Sequence, residues 1–237
     1  MKRGFVMNRK SRKIFIVGTG TDVGKTYVAG LVVKKLKESG RTAGYYKAAM
    51  SGNDRGEDGV LLPGDALHVQ RISGIPQPLD QMCPYVYEHA VSPHLASRLE
   101  GNPVRMDVVE KGFREVCARY DFVTMEGSGG ILCPVCFDQE EIWLEDVIRR
   151  LGLSCLLVAH AGLGTINSVV LTAEYMRARG IPVKGVIFNC FHKGDIMEED
   201  NVRMCEYRTG LKTLACVEEG AEELDMDAEL LASLYEE

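Results

Sequence analysis

Short apolar runs alternate with longer amphipathic stretches along this chain. Ile14, Phe15, Ile16 and Val17 are consecutive apolar positions inside Lys13–Gly18, the pattern of a strand covered on both faces. Thr42–Ala48, Asp121–Gly127, Leu153–Ala159 and Lys184–Cys190 read the same way. Between these runs the period lengthens to that of a helix. From Gly24 to Ser39, Val28, Leu31, Val32 and Leu36 share one face, while Lys34 and Lys37 point away. Arg105–Tyr120 brings Val109, Phe113 and Val116 into register, and Thr165–Gly180 forms a helix between the last two strands. Two shorter helices are expected at "GDALHVQRI" and "SPHLASRLE".

Strand–helix alternation predicts an α/β fold: a doubly wound, mainly parallel sheet flanked by helices. No linker, repeat or low-complexity tract interrupts it. Residues 1–12 read as a short mobile tail and 13–237 as a single domain. The basic opening "MKRGFVMNRKSRK" lacks the apolar stretch of a signal peptide.

Composition narrows the class. With 46% apolar and 26% charged residues the chain reads as soluble and globular. A formal net charge of −6 argues against a general nucleic-acid binder. No apolar run is long enough to cross a membrane. The eight cysteines lie mostly in apolar surroundings, which indicates core usage in a reducing, cytoplasmic setting. One close pair, Cys133 and Cys136 in "CPVC", leaves open a metal or redox role beside the structural one.

The chemistry begins at "GTGTDVGKT", Gly18–Thr26. In the common phosphate-loop pattern G-x-x-x-x-G-K-[ST] the first glycine stands five residues before the second. Here Gly18 is one position farther upstream. The context still fits, because the loop follows a strand and opens a helix. Its glycines admit phosphate oxygens, and the helix N-terminus supplies N–H groups and positive potential. Lys25 can reach the terminal phosphates, and Thr26 can offer a hydroxyl to Mg2+. A phosphate-bound Mg2+ takes one or two protein carboxylates. Glu126, at the carboxyl edge of a buried strand, is the first candidate; its alternative is a solvated strand-end acid. Asp65 is the second, with a helix N-cap as the alternative.

Four segments in order resemble the dethiobiotin synthetase family of the biotin pathway: "GTGTDVGKT" with the same extra residue, "GYYKAAMSG", "GDALHVQR" and "MEGSGG". "SPH" at Ser92–His94 and "GTIN" at Gly164–Asn167 match family segments near the substrate. The resemblance implies a P-loop NTPase-like fold and a cytoplasmic homodimer. It further implies ATP-dependent closure of a cyclic urea from diaminopelargonate and CO2, with Mg2+ as cofactor and ATP as co-substrate. It assigns Thr21, Asp22, Val23, Gly24, Lys25, Thr26, Glu126 and Gly129 to the nucleotide, and Thr26, Asp65 and Glu126 to the metal. Lys25 and Lys47 are the catalytic lysines it implies. Ser51, Ser92, Pro93, Gly164, Thr165 and Asn167 fall to the substrate, whose carboxylate is held by the neighbouring subunit's "GTIN" turn. Asn189 matches the adenine-reading asparagine, with an ordinary turn residue as its alternative.

The chain departs from the family in three places. Ala48 and Ala49 follow Lys47 where Pro and Val are common; "LACVEEG" lacks the usual proline; and Gly20 stands where an acid is frequent. Two other readings compete. A partition or cell-division ATPase switch carries a signature lysine near Gly20, and its membrane-targeting members end in a basic helix; this sequence runs into the acidic "AEELDMDAELLASLYEE". A cobyrinate-type amide synthetase requires a glutamine-hydrolysing domain.

Overall fold

The computed structural model describes residues 10–138 and 140–237. Its first half runs β1 (Arg12–Gly18), α1 (Lys25–Glu38), β2 (Ala43–Lys47), α2 (Gly64–Ser73), α3 (Pro93–Leu99), α4 (Met106–Cys117) and β3 (Phe122–Gly130). A hairpin of β4 (Pro134–Phe137) and β5 (Glu141–Trp143) follows, then α5 (Leu144–Leu151), β6 (Cys155–His160) and α6 (Thr165–Ala178). The chain continues through β7 (Val183–Phe191), α7 (Ile196–Thr209), β8 (Thr213–Glu218) and α8 (Ala228–Ser233). Six strands form one sheet in the order β2-β3-β1-β6-β7-β8, and every pairing in it is parallel.

This order explains the consecutive apolar positions. Ile14 and Ile16 pack with α1, α2 and α8, against Val28, Val32, Leu36, Val69 and Leu231. Phe15 and Val17 pack on the opposite face with Phe113, Val116, Val147 and Val169. The chain leaves β1 toward β2 on one side and later reaches β6 on the other, so the strand order reverses beside β1. The carboxyl ends of strands at such a switch point form a ligand crevice.

Two features tie down the sheet's margins. At its β2 edge the buried Gln77 side chain accepts from the Tyr45 N–H and donates to the Tyr45 carbonyl, both at 2.8 Å. The amide thus covers part of an open strand edge. At the amino end of β1, Lys13 N–H donates to the Glu236 carbonyl at 2.7 Å, and Glu236 N–H returns a bond to the Lys13 carbonyl at 3.1 Å. The buried Tyr235 hydroxyl lies 2.6 Å from that of Thr124.

Several expectations are corrected. β1 begins at Arg12, so the expected tail is shorter; residues 1–9 of it lie outside the described residues. β3 does not stop at Gly127 but continues to Gly130, past a bulge where Ile16 pairs with Glu126 and Gly18 with Gly130. The β4–β5 hairpin, α5, α7, β8 and α8 were not expected from the hydrophobic pattern. All eight cysteines are free thiols. Cys136 is core, whereas Cys133 lies against Gly129, where an added Cβ would meet its sulfur at 3.4 Å.

Candidate active site

The loop between β1 and α1 turns on two left-handed residues, Asp22 at φ 59° and Gly24 at φ 85°. Gly24 is also the N-cap of α1. A Cβ there would sit 1.9 Å from Asn189 Nδ2, so only glycine lets the end of β7 approach. Asn189 uses that approach: it is buried and donates to the Val23 carbonyl at 3.2 Å. Lys25 opens α1 and folds back to donate to the Gly20 carbonyl at 2.8 Å. Burial lowers its pKa, and the charge of Lys47 lowers it further, against the opposing pull of Glu126 and Asp65.

Four elements converge beside this loop. Thr26 comes from α1, Lys47 from the end of β2, Asp65 from the first turn of α2 and Glu126 from β3. Lys47 and Glu126 are register partners, which sets their side chains on the same face of the sheet. Lys47 Nζ donates to Asp65 Oδ2 and Glu126 Oε1, both at 2.6 Å. Thr26 Oγ1 donates to Glu126 Oε1 at 2.8 Å and lies 3.2 Å from Asp65 Oδ1. Tyr45 OH donates to the other oxygen of Glu126 at 2.7 Å.

Burial and charge oppose each other here. Burial alone would lower the Lys47 pKa, but Glu126 and Asp65 outweigh it and hold the ammonium above the usual lysine range. Burial would raise the Asp65 pKa, but Lys47 reverses that and keeps it below its ordinary value. The Tyr45 phenol is pushed well up by burial and then by the Glu126 charge, so it remains a donor. Asp65 does not cap a helix as its alternative reading held. The N-cap of α2 is Pro63, and the Asp65 carboxylate is engaged by Lys47 and Thr26.

Thr26 Oγ1, Asp65 Oδ1 and Glu126 Oε1 are hard oxygen donors within hydrogen-bonding reach of a shared point, a set suited to Mg2+. Among the described residues no three His, Cys, Asp or Glu side chains gather into a metal cage. A metal here would therefore share its shell with ligand oxygens and water, as phosphate-bound Mg2+ does.

These residues wall a cleft of about 420 Å³, together with Thr21, Asp22, Gly24, Ser51 and Gly129. Most of the expected phosphate, metal and catalytic positions thus share one cavity. Val23 is buried and does not line the cleft. Ser92 and Pro93 begin α3, with Ser92 Oγ 2.9 Å from His94 Nδ1, outside the cleft wall. Gly164, Thr165 and Asn167 begin α6, also outside it. Sequence reasoning missed Tyr45 and Ser128. Tyr45 stands two residues before Lys47 on one strand, and the period of two was the available signal. Ser128 also lines the cleft and donates to the Ala49 carbonyl at 3.1 Å.

A family model described as an AAA domain matches residues 12–224. The ATP-dependent dethiobiotin synthetase BioD of Clostridium perfringens (strain 13 / Type A) is 43% identical over 224 residues, covering 94% of this chain and 97% of that protein. The protein of the same name from Brachyspira hyodysenteriae is 43% identical over 227 residues, covering 95% and 100%. The chain belongs to the dethiobiotin synthetase family. Membership makes it an ATP-dependent ligase with a P-loop α/β fold, and sets aside the switch-ATPase and cobyrinate-type readings. Among solved structures, the septum site-determining protein MinD from Pyrococcus horikoshii OT3, complexed with Mg-ADP, aligns with a TM-score of 0.49 at 17% identity, over 88% of this chain and 82% of that one. No helix among the described residues is long and apolar enough to cross a membrane.

Proposed function

We propose that this dethiobiotin synthetase joins CO2 to diaminopelargonate and closes the urea ring at the expense of ATP, within one cytoplasmic α/β domain that begins with β1 at Arg12. One amine of the substrate adds to CO2, loses a proton and becomes a carbamate. A carbamate oxygen attacks the γ-phosphorus of ATP and ADP leaves, giving a carbamic–phosphoric anhydride. The second amine attacks the anhydride carbon and gives up a proton to solvent; the C–O bond to phosphate breaks and inorganic phosphate departs.

The convergence of Lys25, Thr26, Lys47, Asp65 and Glu126 on one cleft carries this reading. No protein nucleophile is needed, because the reaction calls for positioning and charge neutralisation. Lys25 and the loop N–H groups hold the phosphates, with Thr21, Asp22, Val23, Gly24 and Gly129 shaping the cradle. Thr26, Asp65 and Glu126 would hold Mg2+, which would supply neutralisation of phosphate charge. Lys47, bonded to the Asp65 and Glu126 carboxylates, offsets charge on the carbamate. Ser51 hydrogen-bonds substrate or phosphate, and Asn189 reads adenine from the end of β7.

The working unit we propose is a homodimer. Leu163 and Ile196 are 91% and 85% exposed at the starts of α6 and α7, with Leu171 and Tyr207 exposed farther along those helices; large apolar groups in solvent mark an interface. Thr165 is buried at the start of α6, yet its hydroxyl has no partner among the described residues. That N-terminus suits the carboxylate of a substrate lying across the interface, with Gly164, Thr165 and Asn167 around it and Ser92–Pro93 along its chain.

Isotope transfer tests the chemistry. With 18O-labelled bicarbonate, ATP, Mg2+ and diaminopelargonate, one label per turnover must appear in inorganic phosphate. The oxygen that attacked phosphorus leaves with it. Dethiobiotin formed without label in phosphate would rule out the anhydride route.

A further inference from the structure

The Glu126 carboxylate is almost wholly buried, at 1% exposure, and its two oxygens have different company. Oε1 faces Thr26 and Lys47, the corner assigned to the metal. Oε2 accepts one bond, from Tyr45 OH at 2.7 Å. Tyr45 is itself fully buried, and its ring packs in the core between the sheet and α1. Its backbone N–H and carbonyl are both taken by the Gln77 side chain. Tyr45 pairs with Thr124 as Lys47 pairs with Glu126, so the phenol and the ammonium rise from the same face of β2. A chain of contacts therefore runs from Gln77 through Tyr45 to one oxygen of Glu126, outside the cleft lining.

We propose that Tyr45 is a positioning residue for the metal site: its phenol, anchored through Gln77, fixes the plane of the Glu126 carboxylate and reserves Oε1 for the Thr26–Asp65 corner. This rests on the Mg2+–nucleotide reading of the cleft. Without the phenol, Oε2 is left buried without a donor, and the carboxylate gains by rotating Oε2 toward Lys47 or Thr26. Rotation spoils the donor arrangement while leaving every metal-facing residue in the sequence. Tyr46, the next residue, provides the comparison. It too is buried, and its phenol donates to the Val109 carbonyl at 3.0 Å, but on the opposite face.

The test compares Tyr45→Phe with Tyr46→Phe; each keeps the ring and removes one buried hydroxyl. Mn2+ binding in the presence of ADP, followed by loss of the free-ion EPR signal, should weaken about tenfold in Tyr45→Phe and stay at the wild-type value in Tyr46→Phe. Half-maximal turnover should require about tenfold more Mg2+ in Tyr45→Phe, with activity recovering at high Mg2+ and the KM for diaminopelargonate unchanged. In a Glu126→Gln background the Tyr45→Phe change should add no further loss of Mn2+ affinity. Equal Mn2+ affinity in Tyr45→Phe and wild type, or equal losses in the two tyrosine variants, overturns the positioning role. If Tyr45→Phe proves insoluble, a fluorinated tyrosine at position 45 alters the same hydrogen bond without removing it, and an unchanged Mn2+ affinity there overturns the role as well. Wild-type protein that binds no Mn2+ with ADP would instead refute the metal reading itself.

Discussion

Lys47 is flanked by two carboxylates at 2.6 Å, and its charge matters more than its shape. Lys47→Gln keeps a similar length and two N–H donors but leaves the buried Glu126 and the half-buried Asp65 without the charge between them. If the ammonium offsets charge on the carbamate and its phosphorylated form, turnover should fall by about two orders of magnitude, while ATP affinity changes far less. Single-turnover kinetics beside equilibrium nucleotide binding would show this split, and equal losses in both would reduce Lys47 to one more phosphate contact. Lys25, Thr26 and Glu126 could be picked out in the sequence because their types and their places in the loop and at a strand end point to phosphate chemistry, whereas Lys47 entered only through the family resemblance. Tyr45 carried only its spacing from Lys47 as a signal, since a tyrosine in an apolar strand reads as core until its partner Glu126 on β3 is known. Asp65 stayed ambiguous in the sequence for a similar reason. The first turn of a helix welcomes an acid on its own account, and only the folded chain brings Lys47 against it.

At the scale of elements, the loop between β1 and α1 depends on the end of β7. Gly24 supplies a left-handed turn, and the space where its Cβ would stand is taken by Asn189. Gly24→Ala should cost about 1–2 kcal/mol for the backbone alone, plus the displacement of Asn189, and nucleotide affinity should fall with it. In an Asn189→Ala background the same substitution should cost less, because the clash is gone and only the backbone term remains. Denaturation of the four proteins measures this coupling, and strictly additive losses would show that the close approach has no energetic weight. The five expected strands were legible because each is apolar on both faces. The β4–β5 hairpin was not, since β5 is a three-residue strand without alternation. β8 and α8 escaped because the pattern past Asn189 is broken by acids. The departures at Ala48 and Ala49 resolve at this scale too. Both residues are buried behind Lys47, where they change packing and leave the charges in place.

For the whole molecule, the proposed shared site makes a prediction about mixtures. Asn167→Asp places a negative charge at the start of α6 and should weaken diaminopelargonate binding while sparing ATP. Glu126→Gln disables the metal corner of its own subunit. Each mixed dimer would hold one site with both halves intact, so equal mixing with full subunit exchange should restore about a quarter of wild-type activity. No recovery despite exchange, or full activity from a monomer, would sink the idea. A separate consequence follows from the pairing of Lys13 with Glu236. β1 is made ahead of the other described strands, yet its amino end has no complete set of backbone partners until residue 236 has been made. Tyr235 meets Thr124 in the same seam, and the Glu236 carboxylate accepts from Ser154 and Lys184. The nascent chain must therefore hold the middle of its sheet unsealed until the segment around Glu236 arrives. β1 therefore waits for a segment far along the chain before it is finished, and chaperones that shield exposed strand edges have an opportunity there.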